Sequence, residues 1–431
     1  MTHLKLKKEK TMAQATEISP NLATGKNQGL DIEKIRKDFP MLQRKINGKP
    51  IIYLDSAATN QKPQVVIDTL NKLYTQEYAK PQEEHQISKM MTKELENSRQ
   101  KVADFINASA SKEIIFTSGC TEGINIIANG FARAILQKDD EVLITELEHH
   151  ANISPWQIAC ELSGAKLIVA PVSNDGEINL GEFENYISEK TKIISVSHSS
   201  HVLGTILPVE EIAKLAHKKG IPLLVDAAQS APHMPIDVQK IDCDFLTFSA
   251  HKMGGPAGVG FLYGKSKWLD KIPPHNAGSE NAEKVTFEET KFKSLPHKFE
   301  AGTPAFEEIV AVGSLVDYVQ SLDMHKTEKY EQELLEYATM RLSDIDEVEI
   351  FGRSSKKEPV ISFRVKNESI EDLETYLSDH YNIDLRGGKL SAEPLMKKLG
   401  VSGLVRASFC YFNTKEEIDQ LVDAVAKFIK R

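Results

Sequence analysis

From residue 113 to residue 264 the apolar residues follow two alternating patterns. Seven short runs, "EIIFTSG", "DEVLITE", "KLIVAPV", "TKIISVSH", "PLLVDAA", "FLTFSAH" and "GVGFLYG", are continuous and rich in Val, Ile and Leu. Between them, "GINIIANGFARAIL", "SPWQIACELSG", "LGEFENYIS" and "VEEIAKLAHKKG" repeat at three and four residues. Strands that are apolar throughout are buried on both faces, and intervening helices supply the cover, so the pattern predicts an α/β fold with a mostly parallel, seven-stranded sheet. The last two runs share only a short loop and are free to pair differently. Upstream, "DIEKIRKDFPML" reads as a short amphipathic helix, "IIYLDSAAT" as a strand end entering a turn, and "VIDTLNKLYTQEYAK" and "KELENSRQKVADFINA" as helices. Beyond Pro296 the texture changes to long charged helices, "EIVAVGSLVDYVQSL" and "KYEQELLEYATMRLSDI", then "VISFRVKN", "IEDLETYLSDHY" and "KEEIDQLVDAVAKFIK". This second alternation predicts a small α+β domain. The division expected is a disordered tail over 1–30, a segment over 31–48 packing with the small domain, a large domain over 49–295 and a small one over 296–431.

Composition narrows the class. A chain of 431 residues that is 41% hydrophobic and 27% charged buries sizeable cores, and a net charge of −9 leaves no broad basic surface for nucleic acid. No apolar run approaches the ~20 residues that span a bilayer. The tail has basic residues without an apolar stretch behind them, so it fails as a secretory signal; Glu9 and Glu17 weaken an organelle-targeting reading. Cys120, Cys160, Cys243 and Cys410 form no CxxC pair, which suits reduced thiols in a cytoplasm rather than a disulfide framework or a metal site.

Ligands of open α/β sheets bind where strand ends meet helix starts. One junction, "FTSGCTEGIN", offers Gly119, Thr121 and Gly123 at a helix N-terminus, an anion site in outline or a turn with glycines for steric reasons alone. A second, "VDAAQSAPH", ends a buried strand on Asp226, which either caps the next helix or requires a cationic or N–H partner. The third, "FSAHKMGGPAGVG", carries Lys252, either snorkelling to solvent or desolvated and activated as a nucleophile or base. Taken as a set, a phosphate grip, a carboxylate for a ring N–H and an amine for a Schiff base are what pyridoxal phosphate needs.

These segments carry a resemblance. "YLDSAAT", "EIIFTSGCTEGIN", "TELEHHANISPWQ", "VLGT", "VDAAQ", "DCDFLTFSAHKMGGPAGVG", "FEAGTP" and "RASFCYFNT" make the chain similar to the class V aminotransferase family of fold-type I pyridoxal-phosphate enzymes, and within it to the Suf-type cysteine desulfurases and selenocysteine lyases. The resemblance implies Lys252 as the Schiff-base lysine, Asp226 on the pyridine nitrogen, Gln229 on the phenolic oxygen and His149 stacked on the ring. It implies Thr121, Ser249 and His251 on the phosphate, with Thr303 from the other subunit of a homodimer. Arg406 matches the arginine that holds the substrate carboxylate.

The chain also departs from the family pattern. The loop that carries the sulfur-accepting cysteine reads "RGGKLSAEPLM", with Ser391 at that position and Lys389 and Leu390 replacing two histidines. A stretch with two histidines and an arginine has become "KPQEEHQIS", retaining only His85; an expected asparagine is His201; a glycine-rich turn has become "AGSENA". Matched cofactor contacts are kept while stretches around the substrate are rewritten. The expectation is a working enzyme on a small α-amino acid that removes the α-proton and eliminates a β-substituent, or transfers the amine. The alternatives are persulfide-forming cysteine desulfuration for iron–sulfur assembly, which implies a sulfur-acceptor protein, and a non-catalytic paralogue.

Overall fold

A computed structural model describes residues 30–431, so residues 1–29 of the expected tail lie outside it. The seven apolar runs form the strands β1 (Ile114–Thr117), β2 (Glu141–Thr145), β3 (Lys166–Ala170), β4 (Thr191–Ser197), β5 (Leu223–Asp226), β6 (Phe245–Ser249) and β7 (Gly260–Gly264) of one sheet. Their order is β1-β7-β6-β5-β4-β2-β3. The five strands β2 to β6 run parallel to their neighbours, with helices making the crossovers. β7 is antiparallel to both β6 and β1. A parallel return needs a crossover of a dozen or more residues, and the stretch 250–259 is too short to make one, so the chain turns back as a hairpin.

The small sheet is antiparallel, with β8 (Val348–Phe351), β9 (Val360–Val365), β10 (Arg386–Gly388) and β11 (Leu404–Ser408) in the order β8-β9-β11-β10. Helices Met324–Ser343, Ile370–Tyr381 and Lys415–Ile429 pack with it, and Ile35, Phe39 and Leu42 of the N-terminal segment join their core beside Phe363, Phe409 and Phe412. Helix Phe306–Ser321 instead packs on helices Gln64–Gln76 and Gln86–Phe105, and its Ile309, Val312 and Leu315 enter the core of the large sheet.

Several element boundaries differ from the sequence reading, and two of them have a visible cause. "DIEKIRKDFPML" is helical only over Ile32–Lys37, because the residue before a proline is driven out of the helical region; a separate 3₁₀ turn follows at Pro40–Gln43. The helix read from Lys93 begins at Gln86, where His85 Nδ1 accepts the N–H of Ser88. Imidazole is an uncommon N-cap, which is why the start was not legible.

A buried ion pair ties this helix to the large sheet. The Arg99 guanidinium, 1% exposed, donates to both oxygens of Glu300 at 2.6 and 3.0 Å, and Glu300 also accepts the N–H of Phe116 on β1. Burial works against charge on Glu300, yet Arg99 and the hydrogen bonds prevail and hold its carboxyl down at about 2.

Candidate active site

The carboxyl ends of the large-sheet strands converge on one cleft of about 240 Å³. β2 and β4 are neighbours although β3 lies between them in the chain, so the connections after them diverge and open a crevice at their ends. His149 follows β2; its Nδ1 accepts the N–H of Ala151 at 3.0 Å, leaving the ring proton on Nε2. Burial, then the neighbouring Lys252, pushes this imidazole down to about 4, so it is neutral at pH 7. His201 follows β4 and meets His149 edge-on, with centroids 4.8 Å apart.

Asp226 closes β5. Its Oδ1 accepts the N–H of Ala228 at 2.9 Å and lies 3.2 Å from Cys120 Sγ, while Oδ2 has no hydrogen-bond partner among the described residues. The local turn and a ligand-facing carboxylate therefore coexist, with one oxygen assigned to each. Gln229 lines the same wall and donates to the carbonyl of Ala57.

β6 ends at Ser249 and runs directly into the four-residue helix Ala250–Met253, which Gly254 ends at φ +104°, a conformation that side chains rarely adopt. This places Lys252 on the cavity wall. Its side chain borders the open space but is otherwise enclosed, and that desolvation lowers its basicity despite the opposing charge of Asp226. Beside it, the N-terminus of helix Cys120–Ala134 points at the cavity, with Cys120 N–H donating to Ser249 Oγ at 2.8 Å and Thr121 and His251 adjacent. A Cβ on Gly123 would overlap Thr247 Oγ1, so only glycine lets this helix approach β6.

The opposite wall comes from the small sheet. Arg406 on β11 donates to Asp55 Oδ1 and to the carbonyl of His201, both at 2.9 Å, while its buried Nε has no partner. Ser199 Oγ is likewise buried and unpartnered on the same cavity.

The loop after β10 is fastened at three points. His201 Nε2 bonds the carbonyl of Leu390 at 2.8 Å, His150 N–H donates to the carbonyl of Ser391 at 3.1 Å, and the His150 ring meets the Glu393 carboxylate at 2.5 Å. Leu390 and Ser391 both adopt left-handed backbone, at φ +55° and +54°, a conformation costly for residues with side chains and sustained here by those fastenings.

Thr121, His149, His201, Asp226, Gln229, Ser249, His251, Lys252, Ser391 and Arg406 all line this cavity, whereas Gly119, Gly123, His85 and Lys389 do not, and Thr303 is exposed. Cys120, Ser197, Ser199 and Arg386 line it too, and Asp55 reaches it through Arg406. No role was assigned to these residues from the sequence, although Asp55, Cys120 and Arg386 lie inside quoted motifs. The rewritten stretches "KPQEEHQIS" and "AGSENA" do not border the cavity of their own chain; they meet each other, Lys80 Nζ lying 2.9 Å from Glu280.

Residues 52–421 match the family model described as Aminotransferase class-V. The chain belongs to the class-V aminotransferase family. That family is pyridoxal-phosphate dependent, and the chain is a cysteine-desulfurase-like enzyme within it. It is 43% identical to a probable cysteine desulfurase of Halalkalibacterium halodurans, over 92% of this chain and 98% of the relative. It is 41% identical to another from Vibrio cholerae, over 93% and 99%. The solved structure of a cysteine desulfurase from Escherichia coli superposes with a TM-score of 0.86 at 32% identity, covering 93% of this chain and 99% of that one. The apo cysteine desulfurase of Thermococcus onnurineus NA1 gives 0.88 at 34%, covering 92% and 98%.

Proposed function

We propose that this member of the family acts on a small α-amino acid, removing its α-proton and expelling a β-substituent, with no protein thiol as acceptor. The observation that supports this most is the fastened loop with Ser391 on the cavity wall. A loop that carries sulfur from the site to an outside acceptor needs a nucleophilic thiolate and freedom to move, whereas this one has a hydroxyl and three anchors. The remaining thiols are poor substitutes. Cys120, Cys160, Cys243 and Cys410 are all buried, and burial is the main cause that raises each of them above the ordinary thiol range.

The donor set fits pyridoxal phosphate. Thr121, Ser249, His251 and the end of helix Cys120–Ala134 would hold the phosphate; Asp226 Oδ2 would face the ring nitrogen, Gln229 the phenolic oxygen and His149 the ring. When bound through Lys252, the cofactor supplies an electron sink for the substrate α-carbon. The protein supplies everything around it. Once the substrate amine has displaced it from the cofactor, Lys252 Nζ, made less basic by burial, would be free to take the α-proton. Arg406, whose Nε has no partner, would hold the substrate carboxylate. His149 keeps its proton on Nε2, and the clasped loop forms one wall of the site through Leu390 and Ser391. Thr303, exposed on its own chain, would complete the phosphate site of a second copy, so we read the working form as a homodimer.

True cysteine desulfuration with an outside sulfur acceptor is the second reading, favoured by the names of the relatives. Mass spectrometry of the wild-type protein after exposure to cysteine without reductant separates the two. We expect no persulfide, unchanged turnover of β-substituted amino acids in Ser391→Ala, and a gain in cysteine desulfuration in Ser391→Cys if the clasp releases the loop. A persulfide formed at catalytic speed on any cysteine would restore the second reading.

A further inference from the structure

We propose that Cys120 is a positioning residue that sets how strongly Asp226 holds the proton of the cofactor ring nitrogen. This inference rests on the reading above, in which Asp226 faces that nitrogen. Its starting point is the asymmetry of the carboxylate. Oδ1 has two neighbours, the Ala228 N–H at 2.9 Å and Cys120 Sγ at 3.2 Å, while Oδ2 is left to the cavity. Any donor on Oδ1 withdraws charge from Oδ2, so the strength of that donor controls the far end of the group.

Cys120 is well placed for this. It is the first residue of a 15-residue helix, its own N–H is fixed on Ser249 Oγ at 2.8 Å, and the residue is 6% exposed. The competing acceptor, the carbonyl of Thr247, is farther away, at 3.8 Å. The thiol also stays protonated, since burial and then the Asp226 charge both oppose the thiolate. It therefore donates S–H and never competes as an anion. An S–H is a weak donor, which leaves Asp226 more basic than a hydroxyl in the same place would.

That the cavity awaits a ligand is indicated independently by Ser199 Oγ and Arg406 Nε, both on residues 3% exposed and both without partners. The other charged or titratable groups around Asp226 and Cys120 are Lys252 and His251 from the turn after β6, His149 from the turn after β2 and His201 from the turn after β4, with Arg406, Arg386 and His150 behind them. Of these only Lys252 feels Cys120 directly, and its own response is followed in the same samples through the pH dependence of the cofactor absorbance.

The test is reconstitution of wild type, Cys120→Ala and Cys120→Ser with pyridoxal phosphate labelled with ¹⁵N in the ring, followed by NMR across pH. The ring-nitrogen shift gives the pH at which its proton is lost. Removing the donor leaves Asp226 more negative, so Cys120→Ala should raise that pH. Installing a stronger donor should lower it, so Cys120→Ser should move the opposite way, each by about half a unit, the size expected for one weak hydrogen bond to a charged group. A packing change alone would move both variants together. Equal midpoints in all three proteins, or shifts of the same sign, would overturn the inference while leaving the cofactor reading intact. A wild-type protein that takes up no pyridoxal phosphate would overturn both.

Discussion

Lys252→Ala is expected to fold, to take up pyridoxal phosphate only reversibly, and to lose at least ~10³-fold in turnover, because it removes the covalent anchor and the proton-transferring amine together. Nothing else in the cavity replaces it. Lys62 is the other amine nearby, with burial holding it down at about 8, but its Nζ is spent on the carbonyl of Asn60 and it does not line the cleft. Borohydride reduction of the wild-type holoenzyme followed by peptide mapping should place the label on Lys252 alone. A label on another lysine would remove the assignment, however inactive the alanine variant is.

The second large effect is expected at Asp226. A carboxylate with one oxygen fixed by a backbone N–H and the other free toward the cavity can keep the ring nitrogen protonated, and so stabilise charge that develops only as the α-proton leaves. Losing it should cost about 3 kcal/mol, roughly a hundredfold, in the rate of α-hydrogen exchange. Asp226→Ala should show this loss in deuterium exchange at the α-carbon of bound substrate even where no β-substituent departs. An unchanged exchange rate would mean that the aspartate serves only the turn to Ala228.

The end of the cleft that carries Asp226 and Lys252 was legible in the sequence because each residue there is placed locally. Asp226 and Ser249 end strands, and Lys252 and His149 lie within a few residues of one. Once the runs are read as neighbouring parallel strands, those ends must converge. The end that carries His201 and Arg406 was less legible for the opposite reason. The His201 to Leu390 bond joins residues 189 positions apart, and Arg406 and Asp55 are separated by 351. No local periodicity encodes such meetings. The sequence marked His201 and Ser391 as separate departures, while the structure makes His201 one of the three anchors of the loop that carries Ser391. Conversely, "KPQEEHQIS" and "AGSENA" looked like alterations of the pocket, and their side chains meet each other outside the cavity of this chain. The hairpin of β6 and β7 was left open by a sequence pattern that reads the same in either direction; the short connection decided it.

The burial of every sulfhydryl has a practical consequence. Since Cys120, Cys160, Cys243 and Cys410 are all inside, the native protein offers alkylating reagents no ready target. Iodoacetamide should consume almost nothing while the fold is closed and four equivalents once it opens, the number of cysteines in the chain. Incorporation over time then becomes a clock for the opening of each region. Cys410 reports the core around the small sheet, Cys243 the core of the large sheet, and Cys120 and Cys160 the layer beneath helix Cys120–Ala134. A sulfhydryl modified at the rate of a free peptide in the native state would show that its region is already open.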